Sequence, residues 1–177
     1  MKSENGEAMS SSLITIVAIF LAAILMFVFP LAAISEMNDQ EALAMVQSYT
    51  TEFVNKIASK GKITQEDYDG YIQKLYATGN SYDTKIEVHI ADTNPGKKTS
   101  TIQIGDTTYY VVYDTQIDQE LSKAGVYLLK EGDYVKVSYE NTNQTIHQMI
   151  MSVLYNVTGN TSYLTGEYSS PIYTTGN

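Results

Sequence analysis

Two histidines, twenty acidic residues and no cysteine bound the chemistry that this chain's side chains could perform. His89 and His147 stand far apart, and neither falls in an HExxH, HxH or Cys/His spacing that would converge ligands on a metal. Each is read as a surface or interfacial residue. Without cysteine there is no thiolate nucleophile, no Cys-ligated zinc and no disulfide, so an exported domain must be held by its core alone. Glu66, Asp67 and Asp69 form a dense acidic group, but the first two occupy the opening turn of a predicted helix, where carboxylates favour the dipole. Asp92, Asn94 and Gly96 begin like a calcium loop, yet the twelfth position counted from Asp92 holds Gln103 instead of a bidentate glutamate. Gly61, Gly70 and Gly79 are scattered through helical connections and make no phosphate-cradling loop. No GxSxG elbow presents a serine. The expectation is therefore a protein that is not an enzyme, with no metal, no cofactor and no small-molecule substrate. A membrane-bound hydrolase using the dispersed Asp and Glu residues is the enzymatic alternative.

What the sequence does announce is physical. Leu13 to Ile34 contains no charged side chain, and as a helix it is roughly 33 Å long, enough for a hydrocarbon core of about 30 Å with modest tilt. Lys2 precedes it and Glu36, Asp39 and Glu41 follow, so the positive-inside rule puts the N-terminus in the cytoplasm and the remainder outside a cell membrane. A cleaved secretory signal is the rival, with Ala33-Ile34-Ser35 supplying small residues at a peptidase site. Against it stand the acidic leader, the length of the apolar stretch and the internal Pro30. A net charge of −9 with only 11 Lys plus Arg gives no electrostatic footprint for nucleic acid. Fifteen tyrosines, no tryptophan and abundant Thr, Ser and Asn fit a polar, weakly charged outer surface with strand-rich segments.

Beyond the apolar run, Leu43, Val46, Tyr49, Phe53 and Ile57 recur at three- and four-residue steps, the stripe of an amphipathic helix that ends at Gly61. Pro30 should kink this helix or loosen a turn, because it lacks an N–H and crowds the carbonyl four residues earlier. Thr64 is read as the N-cap of a second helix with Tyr68, Tyr71, Ile72 and Leu75 on one face. The period then changes to two. Ile86, Val88 and Ile90 alternate with Lys85, Glu87 and His89 in a strand that stops at Asn94-Pro95-Gly96. Residues 102–113 read as a hairpin about Gly105-Asp106, 115–123 as a short helix, and Val135, Val137 and Tyr139 as a further strand. A last helix covers about Asn143 to Tyr155, with Ile146, Ile150, Val153 and Leu154 on one side and Met149, Met151 and Tyr155 read as core packing. Residues 162–173 form a final extended segment. The triplets starting at Asn143, Asn156 and Asn160 match the glycosylation acceptor pattern.

The order of a polar leader with Gly6-Glu7-Ala8 before Met9, an apolar helix with Pro30 near its outer end, an amphipathic extension and a small β-containing head resembles type IV pilin-like proteins. The nearer likeness is to the TadE-like pseudopilins of Gram-positive bacteria. The resemblance implies prepilin processing near Gly6, Glu7, Ala8 and Met9, and a structural role as a minor subunit or pseudopilin of a surface appendage or secretion apparatus. Pilins usually carry a glutamate five residues into the mature chain, whereas here Ser11 is fifth after Gly6 and Leu13 fifth after Ala8. The architecture expected is α+β: a short leader (1–12), a transmembrane helix (13–34), an amphipathic helical stalk (35–61) and an extracellular antiparallel head (62–177). An apolar stripe running past the membrane must be covered by its own head or by neighbours, so the partners expected are the membrane and other pilin-like subunits or copies of itself. Ala22, Ala23, Ala32 and Ala33 would let helices approach closely, or would simply face lipid. The alternative function is a membrane-tethered binding module with a Tyr/Thr-rich head.

Overall fold

The computed structural model describes residues 2–91, 101–104, 107–155 and 164–177, with side chains from residue 11 onward. The fold is α+β, and the chain divides into two compact units: Met1–Gln40 with Gln144–Ser162, and Glu41–Asn143 with Tyr163–Asn177. The turn at Asn94-Pro95-Gly96, the Gly105-Asp106 turn and the triplets at Asn156 and Asn160 lie outside the described residues.

The first unit contains α1 (Lys2–Ala23), a π-helical turn (Ile24–Val28), the start of α2 (Phe29–Lys60) and α5 (Ile146–Tyr155). Met26, four residues before Pro30, lies inside the π-helical turn. Proline offers that carbonyl no N–H and presses its ring against it, and a single wide turn is one way a helix absorbs both effects. Hydroxyls on these helices are satisfied internally: Thr15 Oγ1 donates to the Ser11 carbonyl and Ser35 Oγ to that of Leu31, each at 2.8 Å. The α5 residues differ from their reading as core. None is buried, and Ile146, Met149, Val153 and Tyr155 are exposed. The apolar pattern reports the need for an apolar neighbour without saying which one.

The second unit is built on a five-stranded antiparallel sheet of order β3 (Thr101–Ile104), β4 (Thr107–Tyr113), β2 (Tyr82–Ala91), β6 (Tyr134–Asn141), β7 (Thr165–Pro171). Val88 faces both Val112 and Val135, and Val137 faces both Ile86 and Tyr168. Directly opposed residues share a face, so this register gathers the alternating aliphatics on one side of the sheet. That side shares a core with Val46, Phe53, Val54, Ile57 and Ala58 of α2, with Tyr71 and Leu75 of α3 (Gln65–Tyr76), and with Ile117 and Leu121 of α4 (Asp114–Ala124). Thr64 caps α3, its hydroxyl accepting the Asp67 N–H at 3.2 Å. A second, two-stranded sheet pairs β1 (Lys62–Thr64) with β5 (Val126–Leu128); three-residue strands are too short to show a period, so neither is legible from the residue pattern.

Gly61 ends α2 at φ +68°, a left-handed conformation that disfavours any Cβ. Here the space is also taken. A Cβ would meet the Thr174 carbonyl and the Gly176 N–H, because the C-terminal segment crosses this turn, with the Tyr173 N–H donating to the Ala58 carbonyl at 3.1 Å. Gly61→Ala should therefore destabilise the protein by about 2 kcal/mol or more, beyond the ~1 kcal/mol of an ordinary left-handed cap. Gly79→Ala, at φ +84° with open space around it, should cost less in the same denaturant titration.

Candidate functional site

The outstanding surface of the first unit is its N-terminal helix. Leu13, Ile14, Ile16, Phe20, Met26 and Phe27 are each more than 60% exposed, and no charge interrupts them. Uncovered apolar surface on this scale costs roughly 25 cal/mol for each Å² left in water, so the segment requires an apolar medium. Among the described residues this is the one helix long and apolar enough to cross a membrane, a property that a signal sequence shares. Gly6, Glu7, Ala8 and Met9 fall within α1, and their side chains lie outside the described residues. On the same helix Ala22, Ala23 and Ala33 are exposed, whereas Ala32 and Ser35 are buried. Ala32 is met by α5: His147 Nδ1–H donates to its carbonyl at 3.1 Å. Thr145 Oγ1 donates to Asp39 at 2.5 Å. His147 is thus an interfacial residue between two helices of one unit.

The stripe read from the sequence lies in the second unit and is consumed there. Val46, Phe53 and Ile57 are buried in the head's core, with Leu43 and Tyr49 packed at its edge. Phe53 stacks on Tyr71 with centroids 4.6 Å apart, and the Tyr71 hydroxyl lies 3.0 Å from that of Thr50. Burial pushes the Tyr71 phenol up to about 12 despite that hydrogen bond. The head itself covers this stripe, so no neighbouring subunit is needed to shield it.

Beside this seam the acidic group resolves into different roles. Glu66 and Asp69 point to solvent, but Asp67 is buried and takes Lys56 at 2.6 Å and Lys60 at 3.0 Å. Burial alone would raise its pKa; the hydrogen bonds from Lys56, Lys60 and Thr64 outweigh it and hold the carboxyl below its ordinary value. The helix-dipole reading missed this clamp. Its sequence signal was two lysines four apart on the helix preceding an N-capped acid. The Glu52–Lys74 pair nearby, 2.6 Å long but exposed on both sides, contributes little.

The other face of the sheet carries an open cleft of about 340 Å³, lined by Asp83, Lys85, Ser138, Glu140, Thr165 and Glu167. Lys136 binds Glu167 at 2.7 Å. Farther along this face His89 is buried beside Val111 and Tyr134, its Nε2 3.3 Å from Glu87, which corrects its reading as a surface or interfacial residue. A strand's alternation assigns a residue to a face but does not say whether that face is covered. No group of three or more His, Cys, Asp or Glu that could hold a metal occurs among the described residues. At the Asn143 triplet the side-chain amide donates to Asn80 Oδ1 at 3.0 Å and its oxygen accepts the Ser81 N–H at 2.8 Å, so the glycan acceptor is engaged within the fold.

A long apolar N-terminal helix followed by an antiparallel-sheet head is a pilin-like layout. No protein-family model matches the chain, and no curated protein or solved structure shows significant similarity to it.

The Asp67 clamp makes a pH prediction. Its folded pKa lies below its unfolded one, so its stabilisation is complete above the unfolded value of about 3.9 and is lost as pH falls through the folded value. Asp67→Asn should cost about 2 kcal/mol at pH 7. Denaturant unfolding of the full chain in mild detergent should also show the variant losing less stability than the parent between neutral pH and pH values below the unfolded carboxyl range.

Proposed function

We propose that the protein is a single-pass membrane protein, N-terminus in the cytoplasm and head outside the cell, that works as a pilin-like structural subunit of a bacterial surface appendage or secretion apparatus. The observation that carries this reading is the division of labour along one helix. Its first part is bare and uncharged, and from Val46 to Ala58 one stripe is built into the head's core. The head's core takes in a stretch of that same continuous helix, with no Gly/Ser linker between, an arrangement suited to packing in an array. Retention of the anchor is favoured by what Ala32 holds: cleavage at Ala33-Ile34-Ser35 would remove the carbonyl that receives His147.

Because the head covers the stalk stripe, lateral contacts must come from the exposed segment, where Ala22, Ala23 and Ala33 permit close approach. The chain has no cysteine, so single cysteines report cleanly. Ala22→Cys or Leu25→Cys should form disulfide-linked oligomers in the membranes of expressing cells, while Lys123→Cys on the exposed head should not. Strictly monomeric protein from every helix position would contradict assembly. That result would favour the second reading, a tethered binding module using the open cleft, for which a head freed of residues 1–34 should still bind its ligand.

A further inference from the structure

The helix α5 is poorly explained as part of a water-soluble head. No Asp, Glu, Lys or Arg occurs between Glu140 and Glu167, in a chain of net charge −9. Within that stretch Ile150, Met151 and Leu154 of α5 are half-buried and none of its residues is fully buried, while Val153 is 82% exposed, Tyr155 64% and Ile146 60%. Its polar groups are instead occupied locally: His147 on the Ala32 carbonyl, Gln148 Oε1 on the Thr145 N–H at 3.0 Å, and Ser152 Oγ on the Met149 carbonyl at 2.8 Å. A helix that leaves Ile146, Met149, Val153 and Tyr155 open while its polar groups are bonded within the protein is arranged for an apolar solvent.

The hydrogen bonds to α2 set its level. Ala32 lies two residues before the end of the uncharged run, and Asp39 is about 10 Å farther along the axis. The chain from Thr145 to His147 therefore descends from Asp39 toward Ala32, and α5 begins where the anchoring helix leaves the hydrocarbon. In the same unit Leu31, Ile34 and Met37, on the turns around Ala32, are each more than half exposed. At ten residues α5 is about 15 Å long, too short to span a bilayer and suited to lying in its interface.

From these observations we infer that α5 is a second membrane contact, seated in the headgroup and upper acyl region of the leaflet nearest the head. The inference rests on the anchor reading above. The occupant is lipid rather than protein because the bonds to Ala32 and Asp39 set the start of α5 at the outer end of the uncharged run, a depth that lipid already fills on the anchor reading. The absence of basic residues makes the contact apolar and independent of anionic headgroups.

The test uses the full chain in phosphatidylcholine vesicles, with an environment-sensitive fluorophore on Phe20→Cys, Val153→Cys or Lys123→Cys. Lipids carrying a nitroxide either deep in the acyl chain or near the headgroup serve as quenchers. The Phe20 label should be quenched by the deep nitroxide. The Val153 label should be blue-shifted and quenched by the shallow one, without change when phosphatidylglycerol or salt is added, and Lys123 should respond to neither. Quenching at Phe20 with Val153 behaving like Lys123 overturns the inference and leaves the anchor standing. No quenching at Phe20 overturns the anchor reading and this inference with it. An unquenched Val153 label that instead self-quenches between copies assigns the face to a second copy of the chain and also overturns the inference.

Discussion

Burial of one stripe of α2 between Ala42 and Ala58 is the contact on which the rest of the head depends. Val46, Val54, Ile57 and Ala58 are completely inaccessible, and each of the larger ones contributes about 1.5–3 kcal/mol of gross hydrophobic stabilisation. The sheet supplies Ile86, Val88, Val135 and Val137 to the same core, α3 supplies Tyr71 and α4 supplies Ile117. Around the end of α2 the Lys56–Asp67–Lys60 clamp fixes α3, and the C-terminal segment closes over Gly61. Remove the stripe and the sheet's inner face keeps only part of its cover, from α3 and α4. The helix must also meet a second condition, because Leu13 to Ile34 carries no charge and most of its large side chains are exposed.

Much of this was legible from periodicity. The three- and four-residue spacing of Leu43 to Ile57, the threonine cap at Thr64 and the alternation about Val88 and Val137 are local signals that burial preserves. What escaped was set by non-local contact. The β1–β5 pair is too short to carry a period. His89 sits on the polar face by alternation, yet is covered. Asp67 looked like a dipole residue because its lysines arrive from the preceding helix. Gly61 could be read as a cap, but the C-terminal segment packed against it could not. Pro30 announced a defect in the helix, and the structure has a π-helical turn around Met26.

The largest revision concerns apolar faces. The stripe of α2 and the face of α5 look alike in sequence, since both are helical patterns asking for a hydrophobic neighbour. One is enclosed by its own head, so it supplies no reason to invoke partners. The other is left open on the unit that holds the anchor. Assembly contacts are therefore to be sought at the uncharged segment and its small residues, and the open face of α5 lies in the same unit as that segment. The resemblance to pilin-like proteins supports the layout, while Ser11 and Leu13 stand where the assembly glutamate would be.

On the proposed reading the uncharged helix remains part of the working protein and lies in a membrane. The intact mass of the protein recovered from fractionated cells tests it most directly. The account predicts a membrane-fraction species that retains Leu13 to Ile34, whether or not the segment before Met9 has been removed. A soluble species beginning near Glu36 would contradict it, because the anchor would then be a discarded signal.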